Sequence, residues 1–241
     1  MRFDVISIFP EFFDSALRVS LVAKAIGAGL LQVDIHDLRE WAPGPHRKVD
    51  DAPFGGGAGM VMTPGPVVEA VEAVRRPGSP VVSLTAAGRQ LDQNTVHRLA
   101  GAEQLVLVCG RYEGMDERIA EETGAQEISI GPYVLAGGEA PALVVIESVA
   151  RLIPGVLGNE ESLSEESFVS GLVEYPHYTR PADFRGRKVP DVLVSGDHGR
   201  VSAWRRRQAL WRTFLRWPQL LDDAELSEDE RVLLEQWQRD A

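Results

Sequence analysis

Three stretches rich in small residues each follow an apolar run, and there this sequence has the means to hold a small ligand. Gly110-Arg111-Tyr112-Glu113-Gly114 follows QLVLVC, Gly131 to Gly138 follows EISI, and Thr85-Ala86-Ala87-Gly88 closes PVVSLT. In open α/β sheets, ligands bind beyond the carboxyl ends of the strands. Three such ends together would form one pocket whose backbone N–H and C=O groups read an adenine edge, glycine permitting the close approach. Taken singly, each loop reads more readily as a tight turn.

Other chemistries lose their usual support. The first strand ends in Phe9-Pro10-Glu11 instead of opening a G-x-G-x-x-G loop, and no Walker A lysine loop, H-E-x-x-H or G-x-S-x-G is present. His46, His177 and His198 stand far apart without metal-ligand spacing and read as surface or core residues. The single cysteine, Cys109, excludes an internal disulfide and a multi-cysteine zinc site. At the end of an apolar strand it reads as a packed thiol, not a nucleophile. Trp204, Trp211 and Trp217, at spacings of seven and six, read as the core of the C-terminal part rather than a base-stacking platform.

The elements that must carry these loops alternate along the chain. Strands are predicted at Phe3 to Phe9, Leu31 to Leu38, Pro80 to Thr85, Gln104 to Cys109 and Glu127 to Ile130. Helices are predicted at Glu11 to Ile26, Pro66 to Val74, from an Asp92 cap to Ala100, at Met115 to Thr123 and at Glu139 to Ile153. Such alternation gives an α/β fold with a mostly parallel sheet. Composition changes at Pro154-Gly155-Val156-Leu157-Gly158, and the polar, acidic stretch after it reads as a linker. The expected division is a domain over 1–158, a linker over 159–172 and a smaller, mainly helical C-terminal domain over 173–241. Within the last, Gly199 to Trp217 has one apolar face among arginines, and Ser227 with Glu230 forms a capping-box pattern before Val232 to Trp237.

The chain has 241 residues, 44 % of them hydrophobic, enough to bury a substantial core. No run of about 18 apolar residues is available to cross a bilayer. Met1-Arg2-Phe3-Asp4 enters a strand pattern without a signal-peptide layout, so the expected location is the cytoplasm. The net charge of −11 argues at first against a polyanionic partner, but it conceals a local reversal. From Tyr175 to Trp217, ten Lys and Arg stand against three Asp, a local charge of +7. That segment is a candidate RNA-facing surface or a solvated, internally paired helix.

Longer motifs narrow the choice. Cys109-Gly110-Arg111-Tyr112-Glu113-Gly114-Met115-Asp116-Glu117-Arg118, Ser129 to Glu139 (SIGPYVLAGGE) and Ile153 to Gly158 (IPGVLG) resemble those of the bacterial tRNA (guanine-N1)-methyltransferases. Val49 to Gly57 (VDDAPFGGG) and Pro176 to Pro181 (PHYTRP) do so too, and the resemblance covers nearly the whole chain. It implies a SPOUT-class fold with a deep trefoil knot and an obligate homodimer with the active site between subunits. It also implies S-adenosylmethionine as methyl donor and guanosine 37 of tRNA as the methylated residue.

Carried over by motif, donor contacts fall on Gly110 and on Ile130, Gly131, Pro132, Tyr133, Val134 and Leu135, with Leu84, Thr85 and Ala86 as weaker candidates. Guanine N1 carries a proton and is a poor nucleophile, so a base must remove that proton and a cation must stabilise the charge left on O6. The resemblance assigns the base to Glu166 and the cation to Arg151, and gives Glu113 a part in placing magnesium. The sequence departs from the family pattern at three positions: Glu166 stands for an aspartate, Pro132 for an aspartate and Phe54 for a tyrosine. Two alternatives remain at this point, an RNA-binding protein impaired in catalysis and a SPOUT enzyme acting on a ribose 2′-hydroxyl.

Overall fold

The run Gln104–Cys109 does not alternate apolar with polar residues, as a half-exposed strand would, because both its faces are covered. The computed structural model describes residues 1–158, 166–169 and 171–240 and divides the chain into two compact units, Met1–Gly158 and Asn159–Ala241. The first contains β1 (Arg2–Ser7), β2 (Gln32–Asp37), β3 (Asp50–Asp51), β4 (Val61–Met62), β5 (Val81–Gln90), β6 (Gln104–Cys109) and β7 (Gln126–Ser129). Five of these form one sheet in the order β2-β1-β6-β5-β7, every neighbouring pair parallel. The connecting helices are α1 (Ser20–Gly27), α2 (Pro64–Val74), α3 (Gln93–Ala100), α4 (Arg118–Thr123) and α5 (Glu139–Ala150).

Successive side chains of a strand point to opposite faces, and β6 feeds two cores in this way. Leu105, Leu107 and Cys109 join Leu99 of α3 and Val145 of α5. Val106 and Val108 join Val67 and Val71 of α2 and Ile119 of α4. The result is a sheet with helices on both faces, its carboxyl ends free for loops.

Several predicted elements differ in extent; the helix expected to Ile153 ends at Ala150 and the first strand, expected to Phe9, ends at Ser7. The helix expected from Glu11 to Ile26 is two 3-10 turns, Pro10–Phe13 and Ala16–Arg18, followed by α1. Extended Val19 and Ser20, with φ of 57°, interrupt any continuous helix there. The helix expected from Met115 begins only at Arg118, because Met115 is tied to Met62 in a β-bridge. Strand β5 continues past Thr85 to Gln90.

Inside the sheet, on β1 between β2 and β6, the wholly buried Asp4 accepts from Arg2 Nε at 2.7 Å, pairs with His36 Nε2 at 2.8 Å and accepts from Gln104 Nε2 at 2.5 Å. Burial raises its carboxyl pKa, but the bonds from His36, Arg2 and Gln104 outweigh burial and hold it well below the ordinary value of 3.8. A depressed folded-state pKa stabilises the fold above the unfolded carboxyl's value and loses that contribution as pH falls towards the folded one. In thermal melts, Asp4→Asn should therefore be less stable than wild type near neutrality, and the gap should narrow progressively as pH falls below about 4. A gap independent of pH would remove this account.

The second unit contains a short antiparallel hairpin, β8 (Asp183–Phe184) with β9 (Arg187–Lys188), and two helices, α6 (His198–Arg216) and α7 (Glu228–Asp240). The capping box before α7 is formed: Glu230 N–H donates to Ser227 Oγ at 3.3 Å and Ser227 N–H to Glu230 Oε2 at 2.9 Å. Its core is built from Leu172, Ala209, Leu210, Ala224 and Leu234. Leu172, placed by sequence in the linker, thus belongs to this core, whereas 159–165 and 170 of that stretch lie outside the described residues.

The three tryptophans expected in this core are not its centre. Trp211 and Trp217 remain 37 % and 39 % exposed, and Trp204 lies at the rim against Tyr178. Small Ala209 and branched Leu210 fill the contact instead, where a tryptophan ring would hold the helices further apart. Among the described residues no helix is long and apolar enough to cross a membrane.

Candidate active site

Because β6, β5 and β7 are neighbours in the sheet, their carboxyl-end loops necessarily meet. They line one cavity of about 320 Å³. From β5 it takes Leu84, Thr85 and Ala86; from the loop after β6, Gly110 and Glu113; from the loop after β7, Ile130, Gly131, Tyr133, Val134 and Leu135. Pro132 is the member of that run that does not line it; its ring is exposed. Seven lining residues are glycine or alanine, so much of the wall is main chain.

The path of each loop follows from local chemistry. Ile128 of β7 lies opposite both Leu84 and Arg89, so residues 85–88 bulge out of the ladder towards the cavity. Gly88 returns the strand to β7 so closely that a Cβ there would meet the main chain of Glu127 and Ile128 at 2.5 Å. Neither backbone can yield without breaking the ladder, so Gly88→Ala should cost at least about 2 kcal/mol, read as a lower urea midpoint. An unchanged midpoint would show that the two strands do not approach this closely.

The loops after β6 and β7 are fastened together. Gly138 N–H donates to Gly110 O at 2.8 Å, and Arg111 bridges to Gly137. The Arg111 guanidinium donates to Glu139 Oε2 at 2.8 Å and to Ala136 O at 3.2 Å, with its centre 4.5 Å from the Phe9 ring centroid. Glu139 is fully buried and also accepts from Ser7 Oγ at 2.6 Å. Buried charges persist when paired and hydrogen-bonded, and this pair holds the Ala136 arm of the cavity. Arg111 and Glu139 were not singled out from sequence. The available signal was an acid immediately ahead of an apolar helix.

Cys109 lies beneath this network. Burial, followed by the charge of Glu139, pushes its thiol well above the usual range, consistent with a packed residue. On the far side, β4 brings the 50–62 arm against the loop after β6: Met62 N–H donates to Gly114 O at 3.0 Å and Glu113 N–H to Met60 O at 3.0 Å. Phe54 at the tip of that arm is wholly exposed. Burial and then Asp50 push the Tyr112 phenol above its ordinary range.

The remaining predicted residues are placed elsewhere. Arg151 caps the C-terminus of α5, half-buried, and does not line the cavity. Glu166 belongs to the second unit, where it lines a separate cavity of about 330 Å³ with Arg205 and Arg206. Among the described residues, no group of three or more His, Cys, Asp or Glu side chains is placed to hold a metal ion.

A small-residue cavity at three parallel strand ends is common to many nucleotide-using folds, so comparison decides the family. Residues 1–223 match the model of the family described as tRNA (Guanine-1)-methyltransferase TrmD. The chain belongs to this family. It is a SPOUT-class family, and the parallel sheet with helices on both faces agrees with that class. The tRNA (guanine-N(1)-)-methyltransferase of Geobacillus kaustophilus is 48 % identical over 242 residues, covering 100 % of this chain and 99 % of the relative. Those of Syntrophotalea carbinolica, 49 % identical over 243 residues (100 % and 98 % covered), and Dictyoglomus turgidum, 47 % over 236 (98 % and 96 %), are similar to the same extent.

Proposed function

We propose that this chain transfers a methyl group from S-adenosylmethionine to N1 of guanosine 37 in tRNA, as a cytoplasmic homodimer with the SPOUT trefoil knot. The observation that carries the donor assignment is the cavity: nine of the ten residues expected to contact the donor line it, Pro132 excepted. The glycine and alanine positions in its wall suit an adenine edge read by main-chain groups. The relatives' identity as tRNA (guanine-N(1)-)-methyltransferases supports the RNA substrate and the guanine N1 atom.

The donor supplies an electrophilic methyl; this chain's residues orient it and make the acceptor nucleophilic. Glu166 takes the N1 proton, and the Arg151 guanidinium stabilises the negative charge that then develops on O6. Transfer needs an in-line approach, which positioning in adjoining pockets provides. The homodimer belongs to the proposal because Arg151, in the same unit as the donor cavity, does not line it. A second protomer is what would complete the site. Magnesium retains several waters and takes one or two carboxylates, so Glu113 would supply one oxygen and the bound substrates others.

Incubation with tritiated donor and two transcripts that differ only at position 37 tests the reading. Label should enter the guanosine transcript and not the adenosine one, and nuclease mapping should place the methyl on N1. Equal labelling of both would sink the substrate assignment, and a methyl on ribose would move the enzyme to the 2′-hydroxyl class.

A further inference from the structure

The basic stretch of the second unit is not one uniform surface. Arg206 is spent on structure: its Nε donates to Glu230 Oε1 at 2.7 Å and its Nη2 to Glu225 O at 2.9 Å. Arg212 donates to Glu174 O at 3.2 Å, bracing the entry to the unit. Arg205 is different. Its guanidinium lies 4.8 Å from the Tyr175 ring centroid, and its Nε is the buried side-chain polar atom left without a hydrogen-bond partner among the described residues. A buried donor left unmade is costly and rare, and calls for a partner such as a ligand.

Arg205 lines a cavity of about 350 Å³ between the 175–182 segment and α6. On its walls are the rings of Tyr175, Tyr178 and Trp204, the last two with centroids 6.3 Å apart and planes inclined at 56°. Tyr178 is 49 % exposed, leaving ring surface for another flat group. Val189 and Val201 add apolar lining, and Arg180 adds a second cation. Exposed aromatic faces beside arginines, with apolar surface and an unmet donor, match an unstacked nucleobase and its phosphate. The local charge of +7 favours a polyanion over a neutral or basic partner.

We propose that this cavity receives one unpaired nucleotide of the substrate RNA, distinct from the guanosine that is methylated. Its base lies against Tyr178 and Trp204, an acceptor atom meets the Arg205 guanidinium, and its phosphate meets Arg180. Arg205 also lines the neighbouring cavity that contains Glu166, so the nucleotide pocket and the proposed base share a wall. Filling one would hold the RNA loop beside the other. This inference rests on RNA methylation as the activity.

The test uses the full chain and a set of anticodon stem-loop RNAs, each with one loop nucleotide made abasic, and reads Kd. For wild type, one abasic position other than 37 should weaken binding about tenfold. Tyr178→Ala should weaken binding of the intact RNA by about the same factor and then be indifferent to that abasic position. Losses that multiply at every position would overturn the pocket. Arg205→Met removes an unmet donor, so it should melt no lower than wild type yet bind RNA about tenfold more weakly. A lower melting temperature with unchanged RNA affinity would make Arg205 a structural residue and overturn the assignment. If wild type methylates no RNA, the enzymatic reading fails whatever the scan shows. If it methylates normally and no loop position couples to Tyr178, only the pocket fails.

Discussion

Turnover of tRNA by Glu166→Gln should fall by about 10²–10⁴-fold, the range set by losing a general base, while S-adenosylhomocysteine binds with unchanged affinity. Glutamine keeps the shape and the acceptor oxygen of glutamate but cannot take the N1 proton, so the loss should appear in kcat. Glu166 is not among the proposed donor contacts and the substitution keeps its shape, so donor affinity, read by calorimetry, should not move. Glu166→Asp supplies the complementary variant. It retains the carboxylate and restores the residue expected of the family at that place, so it should remain active. A Glu166→Gln enzyme that turns over at the wild-type rate would exclude Glu166 as base and direct attention to Glu165, which lies outside the described residues.

The second large effect is on folding and donor binding together. Glu139→Ala leaves the Arg111 guanidinium, 18 % exposed, without its carboxylate and leaves Ser7 Oγ without its acceptor. Breaking a buried pair by removing one partner costs about 3–5 kcal/mol, because the other charge stays buried. For a chain of this size that is on the order of a 10 °C fall in melting temperature. The surviving protein should also bind the donor more weakly, since Arg111 no longer has a fixed geometry from which to hold Ala136 O. Arg111→Lys separates the two effects: it keeps a charge for Glu139 but loses the fork that reaches Ala136, so it should spare more stability than affinity. A Glu139→Ala protein with wild-type melting would show that the pair is not what secures the two loops.

Much of this site was legible in the sequence because the features concerned are local. Glycines after apolar runs mark strand ends, and Leu84, Gly110 and Ile130 could be placed at three of them before the strand order was known. That β5, β6 and β7 are neighbours is a long-range fact which no spacing encodes. The bulge at 85–88 was invisible for the same reason: it arises from the pairing of Ile128 with both Leu84 and Arg89. The buried Glu139 escaped because an acid at the start of a helix is ordinary, and only the positions of Ser7 and Arg111 turn it into a clamp. Tryptophan spacing misled in the opposite direction. Regular intervals suggested a core, but intervals fix only the face of the helix, and the partner surfaces left room there for Ala209 and Leu210.

The small-residue wall of the donor cavity also bears on how this surface can vary through descent and under selection. A pocket read through side chains can change its preference by a single substitution, whereas a pocket presented by main chain changes only if the backbone itself is rerouted. At Gly138 an added Cβ would meet Cys109 Cα at 2.7 Å and Gly110 N at 2.9 Å, so rerouting there endangers the fold first. A competitor that used those amides and carbonyls would meet a surface with few viable escape mutations, while exposed positions such as Pro132 remain free to drift.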